Sequence, residues 1–230
     1  MMITAIILAA GYGKRMGTNI PKQYLQIDNK PILYYTLKAF ENSDVDDILL
    51  VTGKEDILYV KEEIVIKHRF KKVSNIIAGG AERYESVYCG LLSLTGCDYV
   101  LIHDGARPCI ETEHINQIVS QVQKCQACVS GVRTKDTIKI VSDDHKVLTT
   151  PKRSTLWSVQ TPQAFSYSLI RSAYDKMMAE RITEVTDDSM VVELLSDTKV
   201  IMIEGSYSNI KITTVEDMDI AKSFLCKRKG

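Results

Sequence analysis

The segment "ITAIILAAGYGKRMG" (residues 3–17) joins an apolar run to a glycine-rich loop. An unbroken apolar run of this length is typical of a strand that is buried on both faces of a parallel sheet. The loop after it carries Lys14 and Arg15, and Lys22 follows shortly. Open backbone amides and cationic side chains favour an anion. The sequence therefore predicts an anion-binding loop at the end of the first strand.

Similar apolar runs recur along the chain and alternate with amphipathic segments of helical period. Strands are predicted at residues 3–10, 46–53, 73–80, 97–104, 127–132 and 199–205. Helices are predicted at residues 32–43, 54–68, 87–94, 115–122, 167–178 and 187–195, and after Thr213. This alternation indicates an α/β fold, a Rossmann-like and mostly parallel sheet with helices on both faces. Ligands of such sheets bind beyond the carboxyl ends of the strands.

The pattern changes after residue 132. The segments "TIKIV" and "VLTT", joined by the polar turn "SDDHK", predict an exposed β-hairpin over residues 137–150. The last helix is expected to begin with a capping box of Thr213 and Glu216. We predict one α/β domain over residues 1–230, with residues 133–157 as a protruding β-arm.

Composition excludes several classes of function. The 230 residues carry a formal net charge of zero, which argues against a nucleic-acid partner. No apolar run approaches the roughly 18 residues of a membrane helix, and no signal pattern is visible, so we expect a cytoplasmic protein. Cys125 and Cys128 form a CxxC that could suggest zinc or redox chemistry. No second pair accompanies them, and a structural role is the favoured interpretation.

The glycine loop does not fit two well-known phosphate-binding motifs. Met16 stands where the third glycine of a dinucleotide fingerprint would fall. Met16 also occupies the second glycine position of a Walker loop that starts at Gly11. What remains is a glycine turn whose amides contact a nucleoside triphosphate, with Arg15 and Lys22 supplying full charges.

Motifs along the whole chain carry a family resemblance. "AAGYGKRM" followed by "PKQYL" resembles the opening of nucleotidyltransferases that join a nucleoside triphosphate to a phosphorylated sugar or polyol. "GGAERYESV", "HDGARP", "KDTIK", "LWSVQTPQAF", "TDD" and "GSYSNIKITTVED" follow in the order and spacing of the 2-C-methyl-D-erythritol 4-phosphate cytidylyltransferase family. The resemblance implies transfer of CMP from CTP to methylerythritol phosphate, with release of pyrophosphate, in non-mevalonate isoprenoid biosynthesis.

The implied step is attack by a phosphate oxygen on the α-phosphorus of CTP. Because this nucleophile is already an anion, no strong base is needed, and catalysis should consist of alignment and charge stabilisation. We therefore read His103 as structural. The catalytic residues that the resemblance implies are cations: Arg15, Lys22, Arg153 and Lys211.

The resemblance also assigns the binding residues. For the nucleotide these are Ala9, Ala10, Gly11, Gly13, Lys14, Gly79, Gly80, Ser86 and Gly105. For the polyol phosphate they are Asp104, Arg107, Thr137, Thr161 and Thr186. Mg²⁺ or another divalent cation is expected, held near Asp104 or through the CTP phosphates. Two departures from the family pattern are Ala81, in place of a common acidic residue, and Gly105, in place of a common alanine.

The resemblance further implies a homodimer in which the arm carries Arg153 to the neighbouring site. An isolated two-stranded hairpin is marginally stable, which independently favours a partner for the arm. Two alternative functions stay open at this point. One is ribitol-5-phosphate cytidylyltransferase, which has the same layout; the other is a catalytically silent nucleotide-binding protein.

Overall fold

The computed structural model describes residues 1–11 and 20–227 of the chain, and a seven-stranded sheet forms the centre of this part. The strands are β1 (Ile3–Ala9), β2 (Gln26–Ile27), β3 (Lys30–Pro31), β4 (Asp47–Thr52), β5 (Val73–Ala78), β6 (Tyr99–Asp104), β7 (Ala127–Arg133), β8 (Ile140–Val141), β9 (Val147–Thr149), β10 (Trp157–Ser166) and β11 (Ile201–Glu204). The strand order in the main sheet is β11-β7-β10-β6-β1-β4-β5. Neighbouring strands run parallel except at β10, which is antiparallel to β6 and to β7.

Helices cover both faces of this sheet. They are α1 (Ile32–Glu41), α2 (Ile57–Tyr59), α3 (Arg83–Ser93), α4 (Thr112–Cys125), α5 (Tyr167–Ala179), α6 (Asp188–Leu195) and α7 (Glu216–Lys227). Successive residues of β1 point to opposite faces, so Ile7 packs into a core layer with Phe40 of α1, while Ile6 packs with Tyr174 of α5. The predicted, mostly parallel α/β fold is confirmed. Its strands are buried on both faces, which explains the unbroken apolar runs in the sequence.

Strand β10 was not among the predicted strands. Its middle carries the polar residues Gln160, Thr161 and Gln163, and it contains Pro162, which usually argues against a central strand. The pairing of β10 with β7 is interrupted between Val159 and Gln163. The Thr161–Pro162 peptide bond in this interval is cis. This irregular part of the strand lies beside the end of β6, where it contributes to the functional site.

The second predicted helix, residues 54–68, is less regular than expected. It begins as a 3₁₀ turn at Lys54–Asp56, and after α2 it continues as a π-helix over Val60–Ile66. The apolar residues do not follow a simple 3.6-residue stripe; the wider turn buries both Val60 and Val65.

The hairpin predicted over residues 137–150 forms, although its strands are shorter than expected. Strands β8 and β9 pair antiparallel in a sheet of their own, and their residues are exposed. The role of residues 133–157 as a dimerisation arm stays a prediction.

The predicted capping box of the last helix is wrong. The helix begins at Glu216, and the carboxylate that reaches back belongs to Asp217. Asp217 accepts hydrogen bonds from the backbone N–H groups of Thr213 and Thr214, at 2.7 and 2.9 Å. A neighbouring acid has therefore taken the role that the sequence pattern gave to Glu216.

The two cysteines of the CxxC lie at the junction of α4 and β7. Cys125 is the last residue of α4, and Cys128 is fully buried in β7.

Within the part of the chain that the structure describes, no helix is both long and apolar enough to cross a bilayer.

Candidate active site

A cleft lies at the carboxyl ends of β1 and β6, where the parallel strands bring their following loops together. It is lined by Leu8, Ala9, Ala10, Gly11, Lys22, Gln23, Gly80, Ala81, Glu82, Arg83, Ser86, Asp104, Ala106 and Lys211. Three of these side chains are cations, Lys22, Arg83 and Lys211, so the described lining suits an anionic ligand.

One wall of the cleft depends on a close backbone approach that only glycine permits. A Cβ on Gly79 would lie 2.5 Å from Ser86 Oγ and 2.8 Å from Ala10 Cβ. The Gly80 N–H donates to Ser86 Oγ at 3.2 Å. The turn after β5 therefore packs directly against the start of α3 and against the loop after β1.

The turn continues into a capped helix. Glu82 and Glu85 form a capping box at the start of α3, and Glu85 Oε2 also accepts from the Ala81 N–H at 2.7 Å. The departure from the family pattern at Ala81 thus leaves a methyl group at the cleft, with its amide bound to Glu85.

Asp104, the last residue of β6, is surrounded by cations. Its side chain is only 10% exposed, with Oδ1 3.3 Å from Arg83 Nε and Oδ2 2.9 Å from Lys211 Nζ. Arg107 Nε lies 3.7 Å from the same Oδ2. Burial alone would raise the pKa of Asp104, but Arg83, Lys211 and Arg107 together hold it far below its usual range. The carboxyl group is therefore ionised at neutral pH.

Arg83 connects this carboxylate to a second one. Its two terminal nitrogens donate to Asp188 Oδ1 and Oδ2 at 2.9 and 2.8 Å, a bidentate pair. Asp188 is fully buried and also accepts from the Tyr174 hydroxyl at 2.7 Å. Burial would lower the pKa of Arg83, yet Asp188 and Asp104 raise it well above its ordinary value. The guanidinium is therefore a fixed charge.

Strand β10 holds the backbone of Asp104 through a hydrogen bond to Thr161. The Asp104 N–H donates to Thr161 Oγ1 at 3.1 Å, and the same oxygen lies 3.0 Å from His103 Nδ1, within hydrogen-bond distance. His103 is fully buried, and burial lowers its pKa to about 3. Its ring is therefore neutral at physiological pH. This arrangement agrees with the structural role expected for His103.

The opposite wall brings Lys22 against the segment that carries Lys211. Lys22 Nζ donates to the Ile212 carbonyl at 2.7 Å, and the Ile212 N–H donates to the Ala106 carbonyl at 2.9 Å. Gln23 is buried and donates to the Ala9 carbonyl at 2.6 Å. These contacts tie the segment after the glycine loop to both β1 and the Lys211 segment.

The structure brings many of the predicted site residues into the cleft. Its lining includes Ala9, Ala10, Gly11, Lys22, Gly80, Ser86, Asp104 and Lys211. Gly13, Lys14 and Arg15 lie outside the described residues.

The other predicted residues lie behind the cleft or away from it. Gly105 is buried, and a Cβ there would lie 2.9 Å from the Leu8 carbonyl oxygen. Arg107 is nearly buried and donates to the Asn209 carbonyl at 2.8 Å. Thr161 is 4% exposed, and its hydroxyl faces β6. Thr186 is exposed and lines a second depression, which Arg83 also borders.

Two arm residues stand apart from the cleft of their own chain. Thr137 is exposed, and Arg153 is exposed with its guanidinium donating to the Lys135 carbonyl at 3.2 Å. Neither belongs to the lining of the cleft. Their roles as substrate and catalytic contacts stay predictions.

Sequence reasoning missed two residues of the site, Arg83 and Asp188. Both lie within motifs that were singled out, "GGAERYESV" and "TDD". The one feature of the sequence that could have indicated Arg83 as a site residue was its position between the glycine pair and Ser86. Its partner lies 105 residues away along the chain, so no local spacing reveals the pair.

Asp104 does not fit the role of a metal ligand in this arrangement. Both of its oxygens already face cations, and a divalent ion would be repelled by Arg83, Arg107 and Lys211. Among the residues that the structure describes, no cluster of three or more His, Cys, Asp or Glu side chains could hold a metal ion.

A model of the IspD family, described as 2-C-methyl-D-erythritol 4-phosphate cytidylyltransferase, matches residues 3–227. The chain belongs to this family.

Relatives of the same name match over nearly their whole length. The cytidylyltransferase of Lachnoclostridium phytofermentans is 49% identical over 223 residues, which are 97% of this chain and 96% of the relative. That of Lachnospira eligens is 50% identical over 226 residues, covering 97% and 99% of the two chains. The crystal structure of 4-diphosphocytidyl-2C-methyl-D-erythritol synthase from Anaerococcus prevotii superimposes with a TM-score of 0.86 at 36% identity, covering 98% of this chain and 96% of that one.

Proposed function

We propose that this chain transfers CMP from CTP to 2-C-methyl-D-erythritol 4-phosphate, giving 4-CDP-2-C-methyl-D-erythritol and pyrophosphate. The observation that carries the proposal is the cationic cleft built around Asp104, in a chain of the cytidylyltransferase family. In the reaction, a phosphate oxygen of the polyol attacks the α-phosphorus of CTP, and the bond to the β-phosphate oxygen breaks.

The residues of the cleft suit this step because its difficulty is repulsion between two anions. Lys22 would stabilise charge at the α-phosphate, and Lys211 would hold the attacking phosphate. The two are close, since Lys22 binds the carbonyl of Ile212, the residue after Lys211. Gly80 and Ser86 line the cleft, where the backbone of this turn would read the base. We include Arg15 with Lys22 because of its place in the glycine loop.

We propose that the divalent cation arrives with the nucleotide, held by phosphate oxygens rather than by Asp104. Such an ion would neutralise part of the triphosphate charge, and Mg²⁺ commonly binds in this way with few protein ligands. Asp104 would instead accept hydrogen bonds from polyol hydroxyls and hold Lys211 in place.

Substrate choice is tested by pyrophosphate release across four nucleoside triphosphates and two polyol phosphates. With CTP and methylerythritol phosphate we expect the fastest release, by roughly a hundredfold over ATP, GTP and UTP, because the base edge is read by fixed backbone groups. Reactions without a polyol phosphate are the control. A preference for ribitol 5-phosphate would support the ribitol-5-phosphate cytidylyltransferase alternative, and no release with either polyol would support a silent nucleotide-binding protein.

Replacing Lys22 tests the cationic mechanism. Lys22→Ala should lower kcat by about a hundred- to a thousandfold, the usual effect of losing one donor that stabilises a developing charge. The unfolding temperature should fall by only a few degrees, because the change removes one partly exposed hydrogen bond, from Lys22 Nζ to the Ile212 carbonyl. Lys38→Ala, an exposed lysine of α1, is the matched control and should keep full turnover. Near-normal kcat for purified Lys22→Ala would remove Lys22 from the mechanism.

We further propose a homodimer in which Arg153 completes the site of the partner subunit. Two observations support this. Arg153 is exposed and lies outside the lining of its own cleft. The arm also exposes apolar side chains that a partner would cover: Ile138, Ile140, Val141, Val147 and Leu148.

Coexpression of two inactive variants tests the shared site. Arg153→Ala and Lys211→Ala should each be nearly inactive alone. In a mixed dimer, one of the two sites keeps both cations, so random pairing should restore about a quarter of wild-type activity. Arg153→Ala mixed with Asp104→Asn should behave in the same way. No recovery in either mixture, or full activity of a monomeric protein, would contradict the shared site.

A further inference from the structure

We propose that Arg83 is a positioning residue that acts through Asp104, and that Asp188 holds Arg83 in place for this purpose. The inference rests on the proposed function, in which Asp104 and Lys211 receive the polyol phosphate. Neither Arg83 nor Asp188 belongs to the residues that the family resemblance assigns to the site.

The geometry of Arg83 supports an indirect role. All three nitrogens of its guanidinium already donate to carboxylates: Nε to Asp104 at 3.3 Å and the two terminal nitrogens to Asp188 at 2.9 and 2.8 Å. Arg83 lines the cleft, and its side chain is 29% exposed. Three of its five N–H groups thus face carboxylates, and this placement suits the guanidinium to hold Asp104.

Asp188 is in turn fixed by the interior of the protein. It is fully buried, its carboxylate accepts from the Tyr174 hydroxyl, and its N–H donates to Gln163 Oε1 at 3.0 Å. The same Gln163 oxygen accepts from the Ser189 N–H at 3.0 Å, so Gln163 also satisfies the first turn of α6.

These contacts close a ring of interactions around Asp104. Gln163 and Thr161 lie two residues apart on β10, and Thr161 accepts from the Asp104 N–H. Asp104 is therefore fixed at its backbone through β10 and at its Oδ1 atom through Arg83 and Asp188. The other oxygen, Oδ2, faces Lys211 Nζ at 2.9 Å and Arg107 Nε at 3.7 Å.

A lysine could not replace Arg83 in this ring. Its ammonium is a single point of charge, whereas the guanidinium reaches two carboxylates on two of its edges at once. Arg83→Lys therefore keeps the charge and removes the geometry. Asp188→Asn keeps the shape of the carboxylate and removes its charge, so it loosens Arg83 without touching the cleft.

Arg171 provides a matched control on the neighbouring helix α5. Its side chain is also 29% exposed, and its Nε donates to Asp175 Oδ1 at 2.9 Å. Neither Arg171 nor Asp175 lines the cleft. Arg171→Lys and Asp175→Asn remove the same chemical groups without affecting Asp104.

The test is steady-state kinetics with CTP and methylerythritol phosphate, combined with calorimetric titration of CTP. Arg83→Lys and Asp188→Asn should each lower kcat/KM for the polyol phosphate by roughly ten- to a hundredfold, because a small misplacement of Asp104 and Lys211 is enough for this loss. The Kd for CTP should change by less than about threefold, and the controls should match the wild type. In an Asp104→Asn background, Arg83→Lys should add less than about a twofold loss.

Three results would overturn the proposal. Unchanged kcat/KM in both variants would remove Arg83 from the reaction. A full additional loss in the Asp104→Asn background would show that Arg83 contacts ligand directly. Equal weakening of CTP and polyol phosphate binding, with a lowered unfolding temperature, would show a purely structural role. Absence of turnover in the wild-type protein would instead count against the proposed function, so the two failures are distinguishable.

Discussion

A carboxylate buried beside three cations organises this site. Taking the charge of Asp104 out of water is costly, and only paired charges and hydrogen bonds make such burial tolerable. Arg83, Arg107 and Lys211 provide the charges, and each comes from a different part of the chain. The same pairing serves the substrate, because the cations that compensate Asp104 are gathered where a phosphate would enter.

The parallel sheet explains why these parts meet. The carboxyl ends of β1 and β6 lie side by side, so the loop after β1 and the residues after Asp104 share one edge of the sheet. Strand β10 runs antiparallel beside β6 and places Thr161 under Asp104. Family membership and the geometry of the cleft therefore point to the same end of the sheet, where ligands of α/β proteins usually bind.

Sequence patterns predicted the elements that depend on local order. Apolar runs such as Ile6 and Ile7 indicate buried parallel strands because both faces are covered. The motif resemblance named Lys22, Asp104 and Lys211, and the three line one cleft. Strand β10 was missed because its buried polar side chains serve the site, so they break the apolar pattern from which strands are read.

Long-range pairing was beyond the reach of sequence patterns. Arg83, at the start of a helix, looks like an ordinary exposed charge, and only the fold brings it to Asp188. The capping of α7 failed for a simpler reason, since Asp217 and Glu216 are adjacent acids and either can reach back to the backbone. In both cases several acidic residues could have been the partner, and sequence spacing alone does not show which of them forms the contact.

The site depends on Asp104 remaining ionised among Arg83, Arg107 and Lys211. The most direct test of this ionisation is the ¹³C signal of the Asp104 side-chain carboxyl group, assigned by its loss in Asp104→Asn and followed by NMR as the pH falls. An aspartate has an ordinary pKa of about 3.9, and the surrounding cations should hold the pKa of Asp104 far below this value. The signal should stay unchanged down to about pH 4. A titration midpoint at or above the ordinary value would show that these cations do not hold Asp104 in its ionised form.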